Sequence, residues 1–263
     1  MRATFIIICM MLNVSVYAQE LPLFATIPVS VDAQHTPPLS EKITFSYVSK
    51  NTELVVNTLQ KIDNLHVQKN KSDIEVTLVR NLTLPGTPIE QHSKGSFVID
   101  LDEESTQSFI KGFKQETHPQ ANTDILQNIQ TYVHHYIEDP TYLHGFHIAS
   151  KVATTKSGDC TEYAVLTTSL ARHVNLPARY ITGIVLLEES QRVHAYGHAW
   201  TEVWHDGHWK ILDAALFGAK ATQLFYLPIA ELSNEGPGYM FSTVEAVNNF
   251  PAKIENVRNY FIK

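Results

Sequence analysis

The run Lys156-Ser157-Gly158-Asp159-Cys160-Thr161-Glu162-Tyr163-Ala164 decides how this chain is read, because it sets a cysteine at the start of a helix. Gly158-Asp159 punctuates the backbone. From Cys160 to about Val174 an amphipathic pattern follows, with Tyr163, Leu166, Leu170 and Val174 on one stripe and Ala164 and Ala171 allowing close packing. Asn175-Leu176-Pro177 ends it. Free backbone N–H groups and the helix dipole at that position favour a thiolate, and they can receive the negative oxygen of a tetrahedral intermediate. A nucleophile with a lowered pKa is the expectation.

Downstream, Ala178 to Leu187 reads as an apolar, β-branched strand, and His198–Trp204 and Trp209–Asp213 as two more, joined through His205-Asp206-Gly207-His208. A two-residue turn at Asp206-Gly207 would pair His205 with His208, Trp204 with Trp209, and Trp200 with Asp213. His198, Trp200, Glu202 and Trp204 then share one face, and Asp213 lies on it, diagonal to His198 at roughly 7–8 Å between backbones. A one-residue slip would separate imidazole and carboxylate onto opposite faces. Cys160, His198 and Asp213 are therefore the candidate catalytic residues: nucleophile, base and orienter. The alternative readings are a buried structural thiol, a histidine that is one of 13, and an aspartate that caps a turn. His194 is the rival base, expected in a loop before Gly197; Trp200, Trp204 and Trp209 are expected in core and hairpin packing rather than as substrate contacts, with a wall of the site as the alternative for Trp200.

Upstream, Thr123 reads as the N-cap of a helix to about Glu138, with Ile125, Ile129, Val133 and Ile137 spaced four apart. The stretch 103–122 is polar and loop-like, with Phe109, Ile110 and Phe113 in a packed turn. Residues 41–102 are mostly strand-like, around Ile43-Phe45-Tyr47, Ile74-Val76-Leu78 and Phe97-Ile99-Leu101; Leu54-Val55-Val56 fits strand or helix. Residues 1–18 carry Arg2, a short apolar run and Val16-Tyr17-Ala18 before Gln19, the pattern of a cleaved signal peptide rather than a membrane span. The expected organisation is a signal peptide over 1–18, an extended Pro-rich lead-in over 19–40, a β-rich domain over 41–115 and a catalytic domain over 116–263.

Removing the leader leaves about 245 residues, takes the formal net charge from −7 to −8, and leaves Cys160 as the sole cysteine, so no intrachain disulfide can form. A mildly acidic chain with no basic block gives no footprint for nucleic acid. His134-His135, His144/His147 and His205/His208 lack a zinc-site spacing of further ligands, and no calcium-type acidic loop occurs, so no metal or cofactor is expected.

Gly158-Asp159-Cys160, His198-Ala199-Trp200-Thr201-Glu202-Val203 and Trp209-Lys210-Ile211-Leu212-Asp213 resemble the three core motifs of the transglutaminase-like superfamily, and Leu176-Pro177-Ala178-Arg179-Tyr180-Ile181-Thr182-Gly183 resembles its strand after the nucleophile helix. The resemblance covers about residues 125–216. It implies an α+β, papain-like core, with the nucleophile helix packed on an antiparallel sheet. It implies Cys160 as nucleophile, His198 as general base and acid, and Asp213 as orienter. A second oxyanion donor upstream of the cysteine is also implied, with Tyr142 as a candidate. The expected function is an exported cysteine enzyme acting on a peptide or protein substrate, cleaving or transferring the acyl group of peptide or isopeptide amides through a thioester, with peptidase activity favoured. The alternatives are a non-catalytic binding module of the same fold and an amine-accepting acyltransferase.

Overall fold

Two five-stranded sheets and a buried helix organise the chain. The structure is a computed structural model that describes residues 25–35, 37–70, 73–116, 124–141 and 145–260. In chain order the elements are β1 (Ala25–Ile27), β2 (Val29–Val31), β3 (Lys42–Val48), α1 (Thr52–Leu59), β4 (His66–Lys69), β5 (Ile74–Val79), α2 (Glu104–Glu116) and α3 (Ile125–Tyr136). There follow β6 (Asp139–Pro140), α4 (Ala149–Thr155), β7 (Ser157–Gly158), α5 (Cys160–His173), β8 (Ala178–Glu189), β9 (Arg192–His205), β10 (His208–Leu212), β11 (Gln223–Glu231), α6 (Tyr239–Asn248) and β12 (Lys253–Asn259).

The first sheet runs β1-β9-β8-β11, with β10 also on β9. The hairpin has the register read from its turn: His208 pairs with His205, Trp209 with Trp204 and Leu212 with Thr201. Positive φ at both Asp206 (55°) and Gly207 (81°) is the twist that a two-residue hairpin turn needs. β1 and β10 share the outer edge of β9, β1 against Ala195–Gly197 and β10 against Thr201–His205. Among the described residues, no strand pairs that edge at His198, Ala199 and Trp200.

The second sheet runs β2-β12-β3-β5-β4, so the C-terminal strand lies between segments from the beginning of the chain. Residues on both sides of the expected 115/116 division therefore build it, while β1, from the expected lead-in, joins the first sheet.

One face of the first sheet is divided between two partners. Tyr180, Ala199 and Val203 bury against α5 in a cluster with Val165, Leu166 and Leu170. Farther along the same strands, Ile184, Leu186 and Ala195 bury against Phe45, Tyr47 and Val76 of the second sheet. On the opposite face Ile181, Val185, Trp200, Leu216 and Tyr226 form a smaller cluster. The architecture is the α+β arrangement of helix on antiparallel sheet, with a β-rich part contributed largely by the N-terminal half.

Three local expectations are corrected. Residues 104–116 form α2 rather than a loop, burying Thr106, Phe109, Ile110 and Phe113 at a three-four-seven spacing that a wide polar face disguises in the sequence. Ser96–Leu101 is not a strand: Val98 N–H donates to the Glu235 carbonyl and Ala149 N–H to the Val98 carbonyl, so these backbone groups bond to loop and helix start instead of a ladder. His194 lies within β9, opposite Leu187, and not in a loop. The undecided Leu54-Val55-Val56 is helical, in α1, with Asn51 accepting the Leu54 N–H as its cap. For α3 the cap is Asp124, whose side chain accepts from Leu126 N–H at 3.0 Å; Thr123, Tyr142, His144 and the leader lie outside the described residues.

Candidate active site

Cys160 stands at the first turn of α5 because the turn before it is tightly capped. Asp159 Oδ1 accepts from the Thr161 N–H at 2.9 Å, while Glu162 Oε2 accepts from the Asp159 N–H at 2.9 Å, a reciprocal capping box. The box requires Gly158, since a Cβ there would come within 2.4 Å of the Glu162 side chain. Glu162 is fully buried and its other oxygen accepts the His147 N–H at 2.9 Å. Burial first, and the Asp159 carboxylate second, push the Glu162 carboxyl up to about 7 against these donors.

The helix is locked lengthwise onto β9 by Thr201, whose hydroxyl donates to the Ala164 carbonyl at 3.0 Å and lies 3.0 Å from the Thr168 hydroxyl. One turn back along the helix, that registration brings Cys160 to the unpaired stretch of the β9 edge, where the Ala199 backbone N–H donates to its sulfur. The sulfur thus sits in the gap between β1 and β10, beside the residue that follows His198.

His198 and Asp213 meet as the hairpin register requires. His198 Nε2 is 2.7 Å from Asp213 Oδ2, with both side chains buried. Asp213 is held on every side. Oδ1 accepts the backbone N–H groups of Ala215 and Leu216 at 3.1 Å, and Oδ2 also accepts the Tyr226 hydroxyl at 2.9 Å. Its backbone carbonyl accepts Gln130 Nε2 at 2.9 Å. Turn cap and imidazole partner are therefore one role, filled by different oxygens of a single carboxylate. Trp200 does wall the site, its ring stacked at 6.1 Å and 26° on the His198 ring and edge-on to Tyr226 at 5.1 Å. Gly183, opposite His198 on β8, makes room for that indole, because a Cβ would come within 2.6 Å of it.

The third side of the triangle is left open. His198 Nδ1 is buried and has no hydrogen-bond partner among the described residues, and the thiol's bond is to the neighbouring amide. Cys160 is also fully buried, and its thiol does not have the lowered pKa that a helix start led us to expect. Desolvation first and the Asp159 carboxylate second push it well up, with the Ala199 N–H opposing. The physical reason is that Cys160 is buried together with Asp159, Thr161 and Glu162, so the dipole's modest help is outweighed by the loss of water. His194 is not brought to this site; its ring stacks near Tyr196. His134 donates to or accepts nothing from the triad and lies 2.9 Å from the Ala214 carbonyl. No group of three or more His, Cys, Asp or Glu able to hold a metal occurs among the described residues.

Sequence reading missed Tyr226, Gln130, the Ala199 amide and the capping box. Only the last had a local signal, in the spacing Asp159-x-x-Glu162. Tyr226 comes from β11, whose pairing with β8 no local pattern announces.

Residues 109–214, which hold α5, the β9–β10 hairpin and all three site residues, match the family model of the transglutaminase-like superfamily. Solved structures to which the chain is similar include a candidate cysteine protease from Cytophaga hutchinsonii, at 15% identity over 83% of this chain and 81% of that one with a TM-score of 0.37. They also include the periplasmic domain of TgpA from Pseudomonas aeruginosa, at 16% identity over 76% and 83% with a TM-score of 0.37. No curated protein matches the chain significantly. No helix among the described residues is long and apolar enough to cross a membrane.

Proposed function

We propose that this chain is an exported cysteine peptidase that acts on peptide or isopeptide amides through a thioester. The observation that carries the reading is the buried His198, bonded to Asp213 through Nε2 while Nδ1 has no partner among the described residues, on the strand whose next amide holds the Cys160 sulfur. A buried ring nitrogen without a partner is costly to keep. A proton acceptor for the thiol accounts for it.

Because burial keeps the Cys160 proton on sulfur, His198 works as a general base rather than as half of a standing ion pair. As the sulfur attacks the acyl carbon, its proton passes to His198 Nδ1, and Asp213 supports the imidazolium. The carbonyl oxygen becomes an oxyanion received at the start of α5. Its collapse breaks the C–N bond, and the departing amine takes the proton from His198. Water then gives a proton to His198 and attacks the thioester; cleavage of the C–S bond releases the acid, and the proton returns to sulfur. An amine in place of water makes the same scheme a transfer. Substrate must first displace whatever encloses Cys160. Export rests on the pattern of residues 1–18.

The full burial of Cys160 favours a second reading, a binding module that keeps the thiol inert. Turnover of fluorogenic peptide amides, with dansylcadaverine as an amine acceptor in parallel, separates the two. The parent chain turns over and Cys160→Ala loses on the order of 10⁴-fold or more in kcat/KM. A parent that neither cleaves nor transfers, with Cys160 refractory to iodoacetamide when folded and reactive when unfolded, establishes the module.

A further inference from the structure

Beside the start of α5 is a cavity of about 250 Å³ that the triad does not use. One wall is α6, which turns Met240, Val244 and Val247 toward it at a spacing of four and three; the other includes Phe146, Asp159 and Thr161. The wall is built rather than accidental. Phe146 stacks on Tyr180 at 4.9 Å, Tyr239 packs edge-on against Phe146 at 4.9 Å, and the Tyr239 hydroxyl donates to the Phe146 carbonyl at 2.7 Å. These contacts fix the N-terminus of α6 to the opposite side of the cavity.

Three observations point to an occupant. Met240 and Val244, although they line the cavity, remain 44% and 55% exposed, so α6 leaves an apolar stripe facing the space rather than the core. Thr243, also in the lining, is 7% exposed, and its hydroxyl has no hydrogen-bond partner among the described residues; a mid-helix threonine ordinarily satisfies itself on a carbonyl one turn back. Finally, Asp159 and Thr161, the chain neighbours of Cys160, line the cavity while Cys160 itself does not, so an occupant lies against the same helix start that carries the sulfur. The volume is below the roughly 300–1,000 Å³ of clefts that take drug-sized ligands, and is scaled to a single side chain.

We propose that this cavity is the specificity pocket of the enzyme, taking one large apolar side chain of the substrate peptide at the residue whose carbonyl Cys160 attacks, with the Thr243 hydroxyl bonding the substrate backbone. The assignment rests on the peptidase reading for its position in the reaction, but not for the binding itself. Charged side chains are rejected because the lining offers no cation and its one carboxylate, Asp159, already accepts the Thr161 N–H and hydroxyl.

The test uses acetyl-Ala-Ala-X aminomethylcoumarin amides with X as Leu, Phe, Gly, Glu or Lys, and the matching simple amides for binding to Cys160→Ala by calorimetry. The parent favours Leu and Phe over Gly, Glu and Lys by about 10-fold or more in kcat/KM. Val244→Trp, which fills the cavity from a half-exposed position, lowers kcat/KM for Leu and Phe by at least about 10-fold. Phe241→Ser, on the exposed side of α6, changes nothing. Thr243→Val weakens every X alike, since it loses a backbone contact. In the Cys160→Ala background, the Leu amide binds about 10-fold tighter than the Glu amide, and Val244→Trp removes the difference. Binding with that pattern but no parent turnover sinks the enzyme and keeps the pocket. Turnover or binding indifferent to X, or a preference that survives Val244→Trp, overturns the pocket and leaves the enzyme standing.

Discussion

Two buried pairs, Arg179–Glu202 and His198–Asp213, meet on the same face of β9 at positions four residues apart, and they are finished to different degrees. Glu202 Oε2 accepts Arg179 Nε at 2.8 Å and Nη2 at 2.6 Å, and Oε1 accepts the Leu84 N–H at 3.2 Å. The guanidinium also donates to the Leu84 and Pro85 carbonyls and lies 4.0 Å over the Trp209 ring. At His198, Asp213 is equally saturated, yet the imidazole keeps one nitrogen without a partner among the described residues. A charge pair with its groups satisfied fixes a hairpin against its neighbours. A pair that is complete except for one buried ring nitrogen, facing a strand edge where a sulfur is seated, is equipped to move a proton. On the proposed function, the difference separates a structural pair from a reactive one on a single strand.

The comparison breaks first at Asp213. Asp213→Asn should lower kcat by about 10³–10⁴-fold, because an amide cannot support the imidazolium and presents the wrong tautomer partner. Steady-state kinetics on the same peptide amides checks this, and a loss below tenfold would make Asp213 a turn cap only. Next, Arg179→Met should cost about 3–5 kcal/mol of stability by stranding a buried carboxylate, whereas Arg179→Met with Glu202→Leu recovers most of it. Urea unfolding measures both, and kcat of the folded fraction should hold. If the single variant instead loses kcat without losing stability, the two pairs are not separate devices.

Tyr226→Phe sharpens the contrast. It removes one of two bonds to Asp213 Oδ2 without changing shape and should lower kcat about tenfold with KM unchanged, the worth of one hydrogen bond to a charged group. The smallest effect is in pH. Burial, outweighing Arg179, pushes the Glu202 carboxyl up to about 7, against roughly 4.3 in an unfolded chain. A folded pKa above the unfolded one means that this group's contribution is intact below about pH 4.3 and is lost as pH rises through about 7. Urea unfolding of the parent should therefore weaken over that window by up to about 1 kcal/mol per pH unit more than in the double variant; parallel profiles would refute it.

Much of the active corner was legible because it is written in short-range periodicities. The Asp206-Gly207 turn set the register that joins His198 to Asp213, and Gly158-Asp159 set the start of α5. α2 escaped because a narrow apolar stripe among polar residues resembles a loop, and Ser96–Leu101 deceived because a short alternating run carries no information on whether a partner strand exists. Tyr226 and Gln130 could not be read at all, since each meets Asp213 through a separate element.

By itself the sequence singled out Cys160, His198 and Asp213 as candidates and set the face of the hairpin on which His198 and Asp213 lie, since turn geometry and the two-residue strand repeat act over a few bonds. The tertiary structure alone decided that β1 and β10 stop short of each other on β9, so that an unpaired amide remains for the Cys160 sulfur. It also decided that the thiol is buried and its pKa raised, not lowered. Both depend on which distant segments exclude water from one helix end, and desolvation is a property of the assembled fold, not of any neighbouring residues in the chain.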